Sequence, residues 1–207
     1  MKRRTLLSAV LFLVLFALAL VMRGGPISGD EALERMFGGH EGAALSLVSR
    51  LVGLPVWTAL VLAIGALLWL RGARRAGLIL VLADLSAEVA AFALKALVGR
   101  PRPVQGPTDD LVATASFPSG HVVRATVTVG LLLALLAWDH PRLRTPVILV
   151  SVAFLLVVGA ARVASGEHWP SDVLGGYLLG GAWADLALLA EGWWRRRQER
   201  LSEDVVS

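Results

Sequence analysis

Apolar residues in this chain neither alternate nor recur at helical intervals; they run together. Six stretches are predominantly Leu, Val, Ala, Ile, Phe and Trp: residues 6–22, 51–70, 77–94, 121–138, 146–163 and 173–190. Each is about as long as a helix must be to cross a ~30 Å hydrocarbon core. Inside a bilayer every backbone N–H and C=O needs an internal partner, so such runs predict helices rather than strands. The fold class expected is all-α: a polytopic membrane protein with six transmembrane helices in a single domain over 1–207.

The polar intervals carry the orientation. KRR (2–4), RGARR (71–75), HPRLR (140–144) and WWRRRQER (193–200) fall on one side of a six-span chain and hold 12 of its 20 Lys and Arg residues. The positive-inside rule places that side, with both termini, in the cytoplasm. Segments 23–50, 95–120 and 164–172 then lie outside. KRR before a leucine-rich stretch, with Ala17-Leu18-Ala19 after it, also resembles a cleaved leader. Leu20, Val21 and Met22 continue the apolar run, so a retained first helix is expected. In 23–50, Ser28-Gly29-Asp30-Glu31 suits the start of a short amphipathic helix on the outer surface. Ser202 to Ser207 reads as a frayed end.

Composition agrees: 56% of residues are hydrophobic and 17% charged, against about 25% charged in soluble domains. The formal charge of +4 does not point to nucleic acid, because most cations sit in the topology clusters. The expected partners are the membrane and a lipid, with no nucleic acid. With no cysteine, disulfides, Fe–S clusters and thiol nucleophiles are excluded.

Ionisable groups gather where the outer surface should be. Lys95 closes the third run, Arg100 and Arg102 follow in GRPRP, and His121 opens the fourth run after Pro118-Ser119-Gly120. Arg162 closes the fifth, and His168 and Asp172 precede the sixth. Charges at a bilayer are costly unless they pair or face water, which makes these functional candidates. Lys95, Arg102 and Arg162 suit a multiply charged anion. Ser119-Gly120 before a helix start adds a hydroxyl and backbone N–H groups. Asp172, four residues after His168, is placed to reach its ring, which would leave the other ring nitrogen free to attack. His121 is a second, independent acid or base. These are the parts a phosphate-ester hydrolase needs. No HExxH and no carboxylate cluster calls for a metal.

The same residues resemble the type 2 phosphatidic acid phosphatase (PAP2) superfamily of membrane lipid phosphatases, whose motifs are KxxxxxxRP, PSGH and SRxxxxxHxxxD. Here they read Lys95 to Arg102-Pro103, Pro118-Ser119-Gly120-His121, and Ala161-Arg162 through His168 to Asp172. The resemblance implies that His168 is the nucleophile forming a phosphohistidine, that Asp172 holds its ring and that His121 protonates the leaving group. It further implies that Lys95, Arg102, Ser119, Gly120 and Arg162 bind the phosphoryl oxygens, with no cofactor and no metal. Ala161 replaces the motif serine, which should weaken phosphate binding without removing the nucleophile. Relatives of this size act on undecaprenyl pyrophosphate, phosphatidylglycerol phosphate or phosphatidic acid. A site facing outward in a bacterial plasma membrane suits the first slightly better, its chain entering laterally between helices.

Three charges lie deeper. Asp84 and Glu88 share a face of the third helix, and Arg124 lies one turn below His121. A Glu88–Arg124 pair would relieve both burial costs and support the floor of the site. Arg100 reads as a headgroup or substrate contact, and Trp169 as an interface anchor. Two other classes compete. An anion transporter would use the deep charges as a pathway, but it needs a site near the midplane and shows no inverted repeat here. A vanadate haloperoxidase would share the oxyanion site but lack the six spans.

Overall fold

The computed structural model describes residues 2–103, 115–136 and 141–206. Eight helices are described: α1 (Lys2–Met22), α2 (Asp30–Phe37), α3 (Ala43–Leu51), α4 (Leu54–Leu70), α5 (Arg74–Val98), α6 (Gly120–Leu136), α7 (Pro141–Ala164) and α8 (Pro170–Val206). No strand occurs among the described residues; Pro101 and Ala115 form one isolated bridge.

By length and composition, α1, α5, α7 and α8 suffice to cross a membrane. α3 and α4 make a fifth candidate if they are one span bent by 56°. The sequence predicts a single span over 51–70. Gly53 caps α4 and Pro55 follows in its first turn, and a proline there has no N–H to continue an earlier helix. α6 is the shorter apolar helix, and residues 137 and 138 of its expected span lie outside the described residues. It is also the central one. Val122, Val123, Ala125, Val127 and Leu131 are all fully buried, so its polar neighbours meet protein rather than lipid.

Helices in a bilayer gain little from apolar contact alone, because lipid is equally apolar; close approach through small residues replaces it. α8 supplies those residues opposite α6. A Cβ at Gly176 would stand 2.8 Å from Val122, and one at Gly180 2.6 Å from Thr126. On the outside, Leu13, Phe16, Val89, Leu149, Val150 and Leu156 are exposed, as a lipid-facing surface requires.

α1 packs as a bundle member. Ser8 donates to Asp185 at 2.5 Å, and Phe12 meets Trp183 edge-on at 6.4 Å. The polar segment after α1 holds two short helices where one was expected. α2 starts at Asp30 behind Gly29, which has φ 97° and makes no side-chain cap. α8 continues to Val206, through most of the stretch expected to fray.

Candidate active site

Three separate chain segments are tied together where α5 ends, α6 begins, α7 ends and α8 begins. Lys95 lies in the last turn of α5, and Gly99 stops that helix in a left-handed conformation with φ 63°. Ser119 N–H donates to the Asp172 carbonyl at 3.1 Å, and His168 N–H to the Arg162 carbonyl at 3.3 Å. Ser116 N–H donates to the Arg100 carbonyl at 2.7 Å. Lys95 Nζ donates to the carbonyls of Ala115 at 2.8 Å and Ser116 at 3.2 Å. The charges of Lys95, Arg162 and Arg102 all act on the His168 ring, and those of Arg162 and Arg124 on His121. Every site residue singled out from the sequence thus reaches one end of the bundle.

His168 is buried. Burial, with the charges of Lys95, Arg162 and Arg102, pushes its pKa well below the ordinary 6.5. The ring is therefore neutral at neutral pH, the form a nitrogen nucleophile needs. Its Nδ1 stands 3.7 Å from Asp172 Oδ2, in ion-pair reach but beyond a hydrogen bond. That oxygen accepts the Trp169 backbone N–H at 2.8 Å, the return half of a capping box at the start of α8. The carboxylate expected to orient the ring thus also fixes the turn that carries it.

The cationic part of the site holds a carboxylate that the sequence reading passed over. Glu167 Oε2 accepts from Arg102 Nη1 at 2.9 Å and pairs with Arg162 Nη2. Burial raises the Glu167 carboxyl, but the Arg162 charge and hydrogen bond, with the Arg102 charge, outweigh it and hold the pKa below its ordinary value. The Ser119 hydroxyl and the Nε atoms of Arg102 and Arg162 are buried without a hydrogen-bond partner among the described residues. Such donors are costly to bury unmatched. They stand ready for acceptor oxygens beside the α6 N-terminus. Gly120 there leaves room for Arg124, whose Nη2 would come within 3.3 Å of a Cβ.

Arg100 corrects the sequence reading. It is not a headgroup contact but fully buried. Nη1 donates to Asp172 Oδ1 at 2.5 Å and to Ser171 Oγ at 2.8 Å, and Nη2 to Asp30 Oδ2 at 2.5 Å. Asp30 also accepts from Ser171 N–H at 3.0 Å and from its hydroxyl at 2.6 Å. The available signal was charge balance: a third cation in the first motif segment needs its own acid, and α2 opens with one. Trp169 makes two contacts within the protein. Its indole donates to the Pro101 carbonyl at 2.9 Å and its ring lies under the Arg100 guanidinium.

The deep pair forms as expected. Arg124 Nε and Nη2 donate to the two Glu88 oxygens at 3.1 and 2.7 Å, and Nη1 to the Val52 carbonyl at 3.0 Å. Asp84 accepts from Thr128 at 2.8 Å. Among the described residues no group of three or more His, Asp or Glu side chains is arranged to hold a metal ion.

The model of the PAP2 superfamily matches residues 76–196 of this chain. Among curated proteins, the chain is similar to a lipid A 1-phosphatase of Rhizobium etli, 36% identical over 97 residues, or 42% of this chain and 38% of that protein. A lipid A 1-phosphatase of Rhizobium johnstonii is 37% identical over 102 residues, or 45% of this chain and 38% of that protein. The chain thus covers about two fifths of the length of these relatives. Among solved structures it is similar to the first transmembrane PAP2 type phosphatidylglycerolphosphate phosphatase from Bacillus subtilis. The TM-score is 0.74 at 24% identity, over 91% of this chain and 96% of that one. At that identity the likeness speaks for the fold.

Proposed function

Because the chain belongs to the PAP2 superfamily, we propose that it is an integral membrane phosphatase that removes a terminal phosphate from a lipid. The observation that carries this reading is the convergence of Lys95, Arg102 and Arg162 on a buried His168 held neutral. Six transmembrane helices, both termini in the cytoplasm and a site opening on the outer face of the bacterial plasma membrane complete the proposal. Its support is spatial. The helix ends that bear the site are opposite to those bearing the Arg71–Arg75 and Arg195–Arg197 clusters.

The chemistry needs only this chain's residues and water. Lys95, Arg102, Arg162, the Ser119 hydroxyl and the Gly120 N–H hold the phosphoryl oxygens. His168 Nε2 attacks phosphorus while Asp172 faces Nδ1. The bond from phosphorus to the lipid oxygen breaks, and His121 gives that oxygen its proton. A lipid alcohol leaves, or a lipid monophosphate if the substrate is a diphosphate. Water then attacks the phosphohistidine, passing a proton to His121, and inorganic phosphate departs with His168 restored.

The substrate we propose is a lipid ending in a phosphomonoester or diphosphate. Undecaprenyl pyrophosphate, phosphatidylglycerol phosphate, phosphatidic acid and lipid A carrying its 1-phosphate all qualify, the last because of the relatives it matches. An apolar cavity of about 370 Å³ between α2, α3 and α7 supports lateral entry of the chain. Leu33, Met36 and Phe37 line it together with Val163, Ala164 and Pro170, which neighbour Arg162 and His168 in sequence. A transporter would need Asp84, Glu88 and Arg124 as a polar pathway, whereas Glu88 and Arg124 pair with each other and Asp84 with Thr128. The test is phosphate release from these four lipids by protein in detergent with EDTA present. Release by wild type and none by His168→Ala supports the reading; equal release by both overturns it.

A further inference from the structure

The anion clamp already holds an anion of its own. One oxygen of Glu167 serves both Arg102 and Arg162, while the Glu167 side chain is 47% exposed and that of Arg162 3%. The carboxylate therefore lies over the clamp from the solvent side, one residue before His168. Its lowered pKa keeps it charged.

We propose that Glu167 is a specificity-determining residue, excluding the phosphodiester headgroups of bulk phospholipids from the Arg102–Arg162 clamp while yielding to a phosphomonoester or diphosphate end. The inference rests on the phosphatase reading above and deepens it.

The argument is one of charge and oxygen count. A clamp of three cations at a bilayer surface is surrounded by phosphodiester lipids. A phosphodiester brings one negative charge and two free oxygens, as a carboxylate does. Exchanging one for the other gains little, and Glu167, being tethered, competes at an effective concentration on the order of millimolar or more. A terminal phosphate brings about −1.5 to −2 charges and three free oxygens. Its extra charge outbids the carboxylate, and its third oxygen meets the Ser119 hydroxyl and the arginine Nε donors that Glu167 leaves unmatched. Discrimination here means making the wrong ligand's exchange unprofitable, not only improving the right one's contacts.

Glu167→Gln keeps the shape and removes the charge. In detergent micelles containing a phosphomonoester lipid, the variant is expected to lower KM about tenfold with kcat within a few-fold of wild type. Added phosphatidylglycerol should inhibit it at concentrations that leave wild type unaffected. Calorimetry with inorganic phosphate should show binding about tenfold tighter than wild type, and this arm reads out without turnover. Glu167→Asp, which keeps the charge, should retain resistance to phosphatidylglycerol. A raised KM and weaker phosphate binding in Glu167→Gln would mean that Glu167 merely positions the arginines, and a lowered KM without new inhibition would remove the specificity claim; either overturns the proposal. If wild type releases no phosphate from any lipid, the phosphatase reading fails, while the calorimetric comparison still decides the role of Glu167.

Discussion

Arg100 bonds Asp30 at 2.5 Å and Asp172 at 2.5 Å, with none of the guanidinium exposed. One cation thus joins the first residue of α2 to the carboxylate that faces the His168 ring. Removing one partner of a buried ion pair leaves the other charge uncompensated, at a cost of about 3–5 kcal/mol. Arg100 keeps Asp172 when Asp30 is lost, so Asp30→Asn should cost less than that, about 1.5–3 kcal/mol for the charge-assisted hydrogen bonding removed. Thermal unfolding in detergent will check it. A change too small to resolve would show that α2 is not held by this pair.

The acid role of His121 can be separated from a structural one. Its loss should slow release of a lipid alkoxide by about 10²–10⁴-fold, the usual worth of a positioned proton donor. A nitrophenolate leaves without protonation. His121 also serves the later water step, so the comparison is made on the first-turnover burst: His121→Asn should slow the burst of p-nitrophenolate much less than the burst of lipid alcohol. Equal losses on both substrates would remove His121 from the acid role.

The first prediction shows where the sequence was legible and where it was not. Apolar run length revealed the helices because a bilayer leaves the backbone few solutions. The motif residues could be placed at one end because each lies where one helix ends or the next begins. The partners of Asp30 and Glu167 were hidden for a different reason. Each is paired with an arginine at least five residues distant, Asp30 with Arg100 and Glu167 with Arg102 and Arg162. Spacing along a chain does not reveal which cation a carboxylate will meet across a bundle. The break between α3 and α4 was signalled by Gly53 and Pro55, but the apolar residues on both sides hid it. The Glu88–Arg124 pair was readable because two buried charges of opposite sign on facing helices have few other ways to be neutralised.

That pair carries its own prediction. Arg124 lies under Gly120 and is fixed by both Glu88 oxygens. Glu88→Gln and Arg124→Gln should each lower phosphatase activity, and the double variant should lose less than the sum of the two. A coupling of about 1 kcal/mol or more in the double-mutant cycle is expected. Unchanged activity in either single variant would show that the floor of the site does not depend on it.

The state of His168 has a consequence for stability. Its native pKa lies well below 6.5, whereas an unfolded chain titrates near that value. Below about pH 6.5 the unfolded state therefore binds the proton that the native ring refuses, and stability falls with falling pH by up to about 1.4 kcal/mol per unit. Above that value both states are neutral and the effect vanishes. Wild type should lose stability relative to His168→Asn between about pH 7 and pH 5. Parallel melting temperatures across that range would contradict a ring held neutral.

Ala161 offers a gain of function. Restoring the hydroxyl in Ala161→Ser adds at most one hydrogen bond to a charged oxygen, worth about 1.5–3 kcal/mol. KM for a lipid phosphate should fall by up to about a hundredfold, with kcat little changed. An unchanged KM would place position 161 out of reach of the phosphoryl group.

The central claim is that phosphorus passes through His168. Wild-type protein mixed with a lipid phosphate, quenched within its first turnover and digested under alkaline conditions should yield a peptide carrying one phosphoryl group on His168. The group should be lost on brief acid treatment and be absent from His168→Asn. Steady phosphate release with no phosphopeptide, or with the phosphoryl group on His121 instead, would contradict the account.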